Sequence, residues 1–344
     1  MINDPETLTG MVLNGTHGIY DVHTENGILR CTLRGKLKKA FAQAQLADSV
    51  AKARPRYDKM LTQPKAKRTT TGETATLAKP SRLSVGDYVK LRRLDANTGM
   101  IEEILPRQSE LSRRDSGSTD KKVLQQTLLA NLDQAVLVFA AAQPNPHFAM
   151  LDRYLAICES AEIRPVICLN KADLPYEAYV ERDAELYTRL GYQVIWTSII
   201  TNQGLDTLRD LLKDHMTLFT GPSGVGKSSL VNSIEPGMAI KTGLVSSVTG
   251  KGKHTTTGSQ LYPLSNGGWL ADSAGIRALA AWNIDPADLP LCYIEFRPYL
   301  GACVFSDCTH IDEEGCAILQ AVEDGVIDEN RHKSYARLVM GDER

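Results

Sequence analysis

The sequence has no long apolar run and no strong excess of charge. No apolar stretch approaches the roughly 20 residues that cross a bilayer, and the first ten residues lack a signal-peptide core. We therefore expect a cytoplasmic protein without a membrane partner. The formal net charge of 344 residues is only −2, so a nucleic-acid partner has to be argued from local basic stretches. A hydrophobic content of 42% suffices for the cores of two or three domains.

Cysteine is sparse and unevenly placed. Seven cysteines are an odd number for a disulfide framework, and three of them fall within fourteen residues near the C-terminus. With one histidine they supply three thiolates and one imidazole, the closed ligand set of a structural zinc site. Free cysteines or a redox pair are the alternatives, but the spacing and the ligand number favour one Zn²⁺. The predicted ligands are Cys303, Cys308, His310 and Cys316.

A glycine-rich stretch from Thr220 to Leu230 fits the pattern G-x-x-x-x-G-K-[ST]. An apolar run precedes it and a helix-compatible run follows, so an ordinary glycine turn is the weaker alternative. Backbone N–H groups converge on phosphate oxygens in such a loop, Lys227 neutralises the β and γ phosphates, and Ser228 ligates Mg²⁺. The predicted phosphate-binding residues are Gly221, Pro222, Ser223, Gly224, Val225, Gly226, Lys227, Ser228 and Ser229.

A second motif, Asn170-Lys171-Ala172-Asp173, stands at the end of a predicted strand. The Asp173 carboxylate can accept hydrogen bonds from N1–H and the 2-amino group of guanine, a pair of donors that adenine lacks. Alone, the tetrapeptide is also compatible with a simple turn. Together with the phosphate loop it predicts a guanine-nucleotide site formed by Asn170, Lys171 and Asp173. Ser198, after the next strand, is predicted to lie in the loop over the base.

The middle of the chain alternates strands and helices, which is typical of a parallel α/β sheet with ligands at the carboxyl ends of its strands. The predicted strands are Ala135–Ala140, Pro165–Leu169, Tyr192–Trp196, Met216–Phe219 and Trp269–Ala271, and the predicted helices are His147–Ala161, Ala184–Leu190 and Leu205–Lys213. Two further helices are predicted, over Asp288–Leu300 and over Ala317–Met340 with a break near Gly325. The second one carries Arg331, Lys333 and Arg337, which we interpret as a solvated face.

The N-terminal part shows two-residue alternation broken by turns, over 11–33, 85–91 and 100–105. About five strands are predicted, the number of an OB-fold barrel, for which nucleic acid is a natural ligand. Between them, residues 36–80 carry eleven Lys/Arg against three Asp/Glu. We predict a mobile basic loop that contacts phosphates, with a solvated linker that has no partner as the alternative. Residues 115–120 are predicted to be an interdomain linker.

Two downstream stretches complete the predicted site, although each alone is compatible with an ordinary loop. Thr256, in the run Gly252-Lys253-His254-Thr255-Thr256-Thr257, is expected to close on Mg²⁺ and the γ-phosphate. Asp272 is expected to hold a Mg²⁺-bound water, and the Gly275 amide to meet the γ-phosphate. The predicted catalytic residues are therefore Lys227, Thr256 and Gly275, with His254 as a further candidate, and the predicted Mg²⁺ ligands are Ser228, Thr256 and Asp272.

Ile276 stands where Ras-like enzymes place a glutamine that orients the attacking water. Because an apolar side chain cannot orient water, we expect slow intrinsic turnover. His254, or a group that a partner supplies in trans, would then complete the site. His254 is equally compatible with a contact to RNA.

The base motif precedes the phosphate loop, the reverse of an ordinary small GTPase, which indicates a circular permutation. Over nearly its full length the chain resembles the RsgA (YjeQ) family of circularly permuted GTPases. The resemblance rests on the nucleotide motifs and the zinc spacing above and on three further segments: Leu105-Pro106-Arg107-x-Ser109, Phe139-Ala140-Ala141-Ala142-Gln143-Pro144 and Leu151-Asp152-Arg153-Tyr154.

The resemblance implies an OB-fold, a permuted GTPase domain and a zinc domain. It further implies a monomer that hydrolyses GTP to GDP and phosphate on the small (30S) ribosomal subunit, binds its rRNA and acts in late maturation. Two features depart from the family: Asp272-Ser273-Ala274-Gly275 replaces the usual Asp-Thr-Pro-Gly, and the basic loop is longer. The turn loses the fixed φ of proline, which leaves the geometry of the metal turn and the rate of hydrolysis open.

Three domains are predicted: an OB-fold domain at 1–114 with the basic insertion 36–80, a permuted GTPase domain at 115–284, and a mostly helical zinc-binding domain at 285–344. One alternative function is a nucleotide-gated RNA-binding protein that checks an assembly state with little turnover. Another is a GTPase of tRNA modification or metal delivery, which would need an exchangeable metal.

Overall fold

The computed structural model describes residues 7–16, 18–39, 82–114, 125–238, 260–271 and 284–341. Contacts group these residues into two compact units, which are described separately. The first contains the described residues up to Asn131 together with 260–261, and the second contains the others. The predicted linker 115–120 and nearly all of the basic insertion lie outside the described residues. Within the described ranges, no helix is long and apolar enough to span a membrane.

A closed five-stranded barrel forms the first unit, as the alternation pattern predicts. Its strands are adjacent in the order β1-β2-β3-β5-β4, and β4 pairs antiparallel with β1 to close it, the arrangement of an OB-fold. Alternate residues such as Val12, Val22 and Leu91 fill the interior. The strands are β1 (Thr7–Thr16), β2 (Ile19–Thr24), β3 (Gly27–Leu33), β4 (Tyr88–Arg93) and β5 (Thr98–Ile104), and residues 35–39 are helical.

A two-stranded antiparallel sheet belongs to the same unit, with β6 (Glu110–Arg114) paired to β7 (Gln125–Ala130). Arg107, only 3% exposed, joins this sheet to the barrel. Its guanidinium donates to Asp87 at 2.7 and 2.9 Å and to Glu110 at 2.9 Å. A buried arginine with two carboxylate partners is satisfied by the protein, so Arg107 has a structural role here.

The second unit contains a six-stranded sheet in the order β10-β9-β8-β11-β13-β12, in which β8, β9, β10, β11 and β13 are parallel neighbours. All five strands predicted for this sheet are confirmed, and the ends of each lie within about one residue of the predicted ends. The strands are β8 (Gln134–Ala140), β9 (Arg164–Asn170), β10 (Gln193–Thr197), β11 (Met216–Thr220), β12 (Leu261–Pro263) and β13 (Trp269–Ala271).

Helices flank this sheet: α1 (Phe148–Ser160), α2 (Ala178–Arg189), α3 (Leu205–Leu212) and α4 (Lys227–Ile234), followed by a 3-10 turn at Pro236–Met238. Helices α1 and α3 match the predicted helices, and α4 is the helix expected after the phosphate loop. Helix α2 starts six residues before the predicted Ala184. Its buried face is narrow, formed by Val180, Ala184 and Tyr187 at spacings of four and three. Three charged residues, at positions 181–183, interrupt the apolar pattern of its first turns, which hid the helical period.

The C-terminal part has two α-helices, α5 (Ala317–Glu323) and α6 (Glu329–Val339), which confirms the predicted break near Gly325. The predicted helix Asp288–Leu300 is wrong. Two 3-10 turns stand there instead, Leu289–Cys292 and Arg297–Tyr299. Pro290 and Pro298 lack the N–H groups that a continuous helix needs, so the chain can only make short turns.

The prediction that Arg331 of α6 belongs to a solvated face is wrong, because this side chain is buried. It is 2% exposed and donates to Asp152 of α1 at 2.6 Å and to Glu295 at 2.6 Å. Burial lowers the pKa of Arg331, but the Asp152 and Glu295 carboxylates outweigh burial and hold that pKa well above its ordinary value. The Tyr187 hydroxyl donates to the same Asp152 at 2.6 Å. The C-terminal helix is therefore tied to the first and second helices of the sheet.

Candidate functional site

The phosphate loop connects β11 to α4 at the carboxyl end of the sheet. Gly221 has φ +141°, and a Cβ there would lie 2.0 Å from the Val138 carbonyl oxygen. Gly226 has φ +95°, and a Cβ there would lie 2.4 Å from Asn170 Nδ2. Only glycine fits these two positions. The first-turn N–H groups of α4 have no acceptor inside the helix, so this helix start can bind an anion.

Lys227 is the first residue of α4 and is 9% exposed. Its Nζ atom donates to the carbonyl oxygens of Gly221 at 2.9 Å and Pro222 at 2.6 Å. The ammonium group is thereby held over the loop that is predicted to surround the phosphates. Ser228 follows it in the first turn of the same helix.

The base motif contacts the phosphate loop directly. Asn170 ends β9, is 2% exposed, and donates from Nδ2 to the Val225 carbonyl oxygen at 2.8 Å. Lys171 has φ +60°, and its Nζ donates to the carbonyl oxygens of Gly224, at 2.8 Å, and of Gln143. These bonds fix the two predicted halves of one nucleotide site against each other without a ligand.

Asp173 lies on the exposed side of this motif. Ser198 is fully buried, and its hydroxyl donates to Asp173 Oδ1 at 2.6 Å. The same hydroxyl accepts from the backbone N–H groups of Ile200 and Thr201 at 3.1 and 3.2 Å. The structure therefore brings the two predicted base-binding segments together and holds the Asp173 carboxylate in a defined position.

Gln143 was not predicted as a site component, and Thr197 was predicted only as part of the loop over the base. The Thr197 hydroxyl, fully buried at the end of β10, donates to Asn170 Oδ1 at 3.1 Å. The Gln143 carbonyl oxygen, after β8, accepts a hydrogen bond from Lys171 Nζ. Thr197 ends β10 and Gln143 follows β8, the two strands on either side of β9, and this position at the carboxyl ends of parallel strands is the signal for both residues. The predicted residues His254, Thr256, Asp272 and Gly275 lie outside the described residues.

The four predicted zinc ligands form one cluster in which the ligand atoms all lie within 4.8 Å of one another. Cys303 Sγ is 3.9 Å from Cys316 Sγ and 3.5 Å from His310 Nδ1. Bond lengths of about 2.3 Å to sulfur and about 2.0 Å to nitrogen in a tetrahedron place such atoms roughly 3.5–3.8 Å apart. The Ala317 N–H donates to Cys303 Sγ at 3.4 Å, a contact that favours a thiolate. The donor set therefore fits one tetrahedral Zn²⁺.

His310 is 6% exposed and has φ +62°. Burial lowers its pKa, more than the nearby Glu313 carboxylate raises it. The imidazole is then neutral near pH 7, the form that binds a metal. The His332 ring contacts the His310 carbonyl oxygen at 2.8 Å, which links α6 to the cluster.

A family model described as RsgA GTPase matches residues 104–282, more than half of the chain. A relative from Gemmatimonas aurantiaca, the small ribosomal subunit biogenesis GTPase RsgA, is 39% identical over 336 residues, covering 96% of each chain. The crystal structure of YjeQ from Thermotoga maritima is similar with a TM-score of 0.71 and 28% identity, covering 98% of each chain. YloQ, a circularly permuted GTPase, gives a TM-score of 0.66 and 27% identity, with 99% of this chain and 96% of that one covered.

Proposed function

The chain belongs to the RsgA GTPase family, and from this membership we propose that it hydrolyses GTP to GDP and phosphate in late maturation of the small (30S) ribosomal subunit. It acts in the cytoplasm as a monomer and binds rRNA of that subunit. The observation that carries the proposal is the hydrogen bond from Asn170 Nδ2 to the Val225 carbonyl oxygen, 2.8 Å long. It supports one site in which a single guanine nucleotide meets both the base motif and the phosphate loop.

The described residues have the following roles in this proposal. Asp173 accepts from the guanine N1–H and 2-amino groups while Ser198 orients its carboxylate. Lys227 exchanges its two loop carbonyls for the β and γ phosphates, since an ammonium group gains more from phosphate oxygens than from neutral carbonyls. Catalysis comes mainly from positioning and charge neutralisation, with water attacking in line.

The metals in the proposal have separate roles. Ser228 would hold Mg²⁺ with Thr256 and Asp272, and bound Mg²⁺ supplies charge neutralisation at the β and γ phosphates. Cys303, Cys308, His310 and Cys316 would hold one Zn²⁺, which leaves no open position for substrate. The zinc is therefore structural in this proposal, and the alternative of exchangeable metal for delivery is disfavoured.

The test is steady-state phosphate release from GTP and from ATP, for the protein alone and with purified small or large ribosomal subunits. We expect slow GTP turnover that rises at least about tenfold with the small subunit only, and no ATP turnover. Lys227→Ala is the inactive control, and its unfolding temperature should stay near that of the unchanged protein. Nucleotide-dependent binding to the small subunit without any rise in turnover would contradict the enzymatic proposal and favour a gated RNA-binding protein.

His254→Ala separates the two sources of the water-orienting group. If His254 acts in cis, subunit-stimulated turnover falls by about 10²-fold or more. Unchanged stimulated turnover would assign the role to the ribosome.

A further inference from the structure

A cavity of about 340 Å³ lies between the start of α1, helix α2 and helix α6. None of its lining residues belongs to the base motif or to the phosphate loop. It is therefore separate from the GTP site. Its volume is within the range of about 300–1,000 Å³ that small-molecule sites occupy.

One wall of the cavity is aromatic. Phe148 of α1 and Tyr179 of α2 are half-buried and meet edge to face, with ring centroids 6.2 Å apart. Partly exposed rings with fixed orientations offer a stacking surface to a flat ligand. Packing against neighbouring rings also restricts their motion. The ring centroids of Phe148 and Tyr187, for example, are 5.7 Å apart.

Helix α6 brings two exposed basic residues to the lining, although the C-terminal region is acidic. Residues 285–341 contain eleven Asp/Glu against four Lys/Arg. Arg331 is buried between carboxylates, and Arg297 pairs with Glu159 at 2.6 Å. The other two, Lys333 and Arg337, are exposed and both line the cavity. They stand four residues apart on one face of α6, so their charges converge.

The acidic groups at the cavity have partners within the protein. Asp152 accepts from Arg331, and Asp183 pairs with Arg182 at 2.8 Å. Asp328 caps α6 by accepting from the Asn330 and Arg331 N–H groups at 2.8 and 3.3 Å. Lys333 pairs with Glu329 at 2.7 Å, but both side chains are more than half exposed, so this pair is readily exchanged. The cavity thus offers two exposed cations, Lys333 and Arg337, beside its aromatic rings.

We propose that this cavity binds a nucleotide unit, with its base on Phe148 and Tyr179 and its phosphate at Lys333 and Arg337. Aromatic stacking next to cations is the chemistry by which proteins hold single-stranded nucleic acid without sequence preference. The same chemistry would accept a free mononucleotide. The proposal does not rest on GTP hydrolysis, because the site is distinct from the phosphate loop.

The test uses the full chain with its GTP site filled by GDP and Mg²⁺. A hexauridylate carrying 4-thiouridine is crosslinked by light, and the modified peptides are identified by mass spectrometry. We expect crosslinks in the peptides that contain Phe148 or Tyr179. If AMP displaces them, the cavity takes free nucleotides; if AMP fails while unlabelled hexauridylate displaces them, it takes an RNA strand. Crosslinks confined to other parts of the chain would overturn the proposal.

Matched variants test the charges. The double substitution K333A and R337A should reduce crosslinking at the cavity at least about fivefold and lower the salt dependence of binding by about one phosphate contact. The control, R189A with K213A, removes two exposed cations outside the cavity. It should change neither the crosslinking at the cavity nor the salt dependence of binding. Tyr179→Leu should also reduce crosslinking, because it keeps an apolar side chain and removes the ring. Equal losses in the K333A/R337A and control variants would overturn the proposal, and GDP affinity reports whether each variant is folded.

Discussion

The nucleotide site and the Cys3His cluster lie in the same compact unit, yet the protein holds them in different ways. In the described part of the predicted nucleotide site, three side chains already have protein partners: Asn170 bonds to Val225, Lys227 to Pro222, and Asp173 to Ser198. In the cluster, three thiols and an imidazole are crowded within 4.8 Å. Thiolates at that distance repel one another unless a cation lies between them. We therefore expect the described part of the predicted nucleotide site to be held by the protein itself, and the cluster to need a cation to be stable.

Metal removal should produce the largest difference between the two regions. Because the free energy of zinc binding is about 10–16 kcal/mol in zinc-finger peptides, chelation should unfold residues 284–341. The GDP affinity should fall by no more than about threefold, since the bonds of the nucleotide site do not involve the cluster. Hydrogen exchange and GDP titration before and after chelation would measure both effects.

Cys308→Ser should reproduce the effect of chelation. The control is Cys292→Ser, a buried position outside the ligand set where a hydroxyl can keep the contact that the thiol makes to the Asp288 carbonyl oxygen. A metal-free protein with full protection of 284–341 would show that the cluster, like the nucleotide site, is held by the protein itself.

Arg331→Met tests whether the two regions are energetically linked. Removing this guanidinium leaves the Asp152 and Glu295 carboxylates buried without a cation, which should cost about 3–5 kcal/mol of unfolding free energy. Arg297→Met removes a half-exposed arginine from its pair with Glu159 and should cost about 1 kcal/mol or less. Urea denaturation of both variants measures the difference. Equal losses would mean that α6 is not tied to the sheet through Arg331.

Asp173→Asn should have a smaller effect, which should appear in nucleotide affinity and not in the free energy of unfolding. The amide loses one of two charge-assisted hydrogen bonds to guanine, so GTP affinity should fall about 100-fold while the unfolding free energy stays unchanged. Xanthine has a carbonyl where guanine has the 2-amino group, so the variant should gain affinity for XTP. Titrations with GTP and XTP measure this exchange. Asp206→Asn, at a 93% exposed side chain, is the control that should change neither affinity. Unchanged GTP binding in Asp173→Asn would remove Asp173 from the site.

The smallest expected difference between the sheet and the Cys3His cluster is in the reactivity of their thiols. Burial raises the pKa values of Cys158 and Cys168 to about 12, so these thiols should resist alkylation at pH 8 with or without metal. The three cysteines of the cluster should react only after chelation, together with Cys292 of the same core. Mass spectrometry of the alkylated protein counts the modified sites. Early modification of Cys168 would mean that the sheet opens more readily than the cluster.

Local patterns predicted much of this fold. The apolar runs predicted the strands of the sheet, and the motifs placed Asn170 at the end of one strand and Gly226 in the loop after another. Prolines inside an apolar segment misled the prediction over Asp288–Leu300. Buried pairs between distant segments were not predictable from periodicity, because Asp152 and Arg331 are 179 residues apart. Arg331 was therefore interpreted as a surface residue although its neighbours on α6, His332 and Tyr335, are buried. The roles of the nucleotide and zinc residues, and the domain boundaries, stay predictions.

The link between Asp152 and Arg331 also sets an order of events during synthesis. A ribosome that adds about 5–20 residues per second makes Arg331 roughly 9–36 s after Asp152. In the later part of that interval, once Tyr187 and the strands up to Ala271 have been made, the sheet can form with Tyr187 beside the carboxylate, but without the cation that neutralises it. A nascent chain that stops short of α6 therefore carries an uncompensated charge at the start of its first helix. The final helix completes the electrostatic balance of a region synthesised near the middle of the chain.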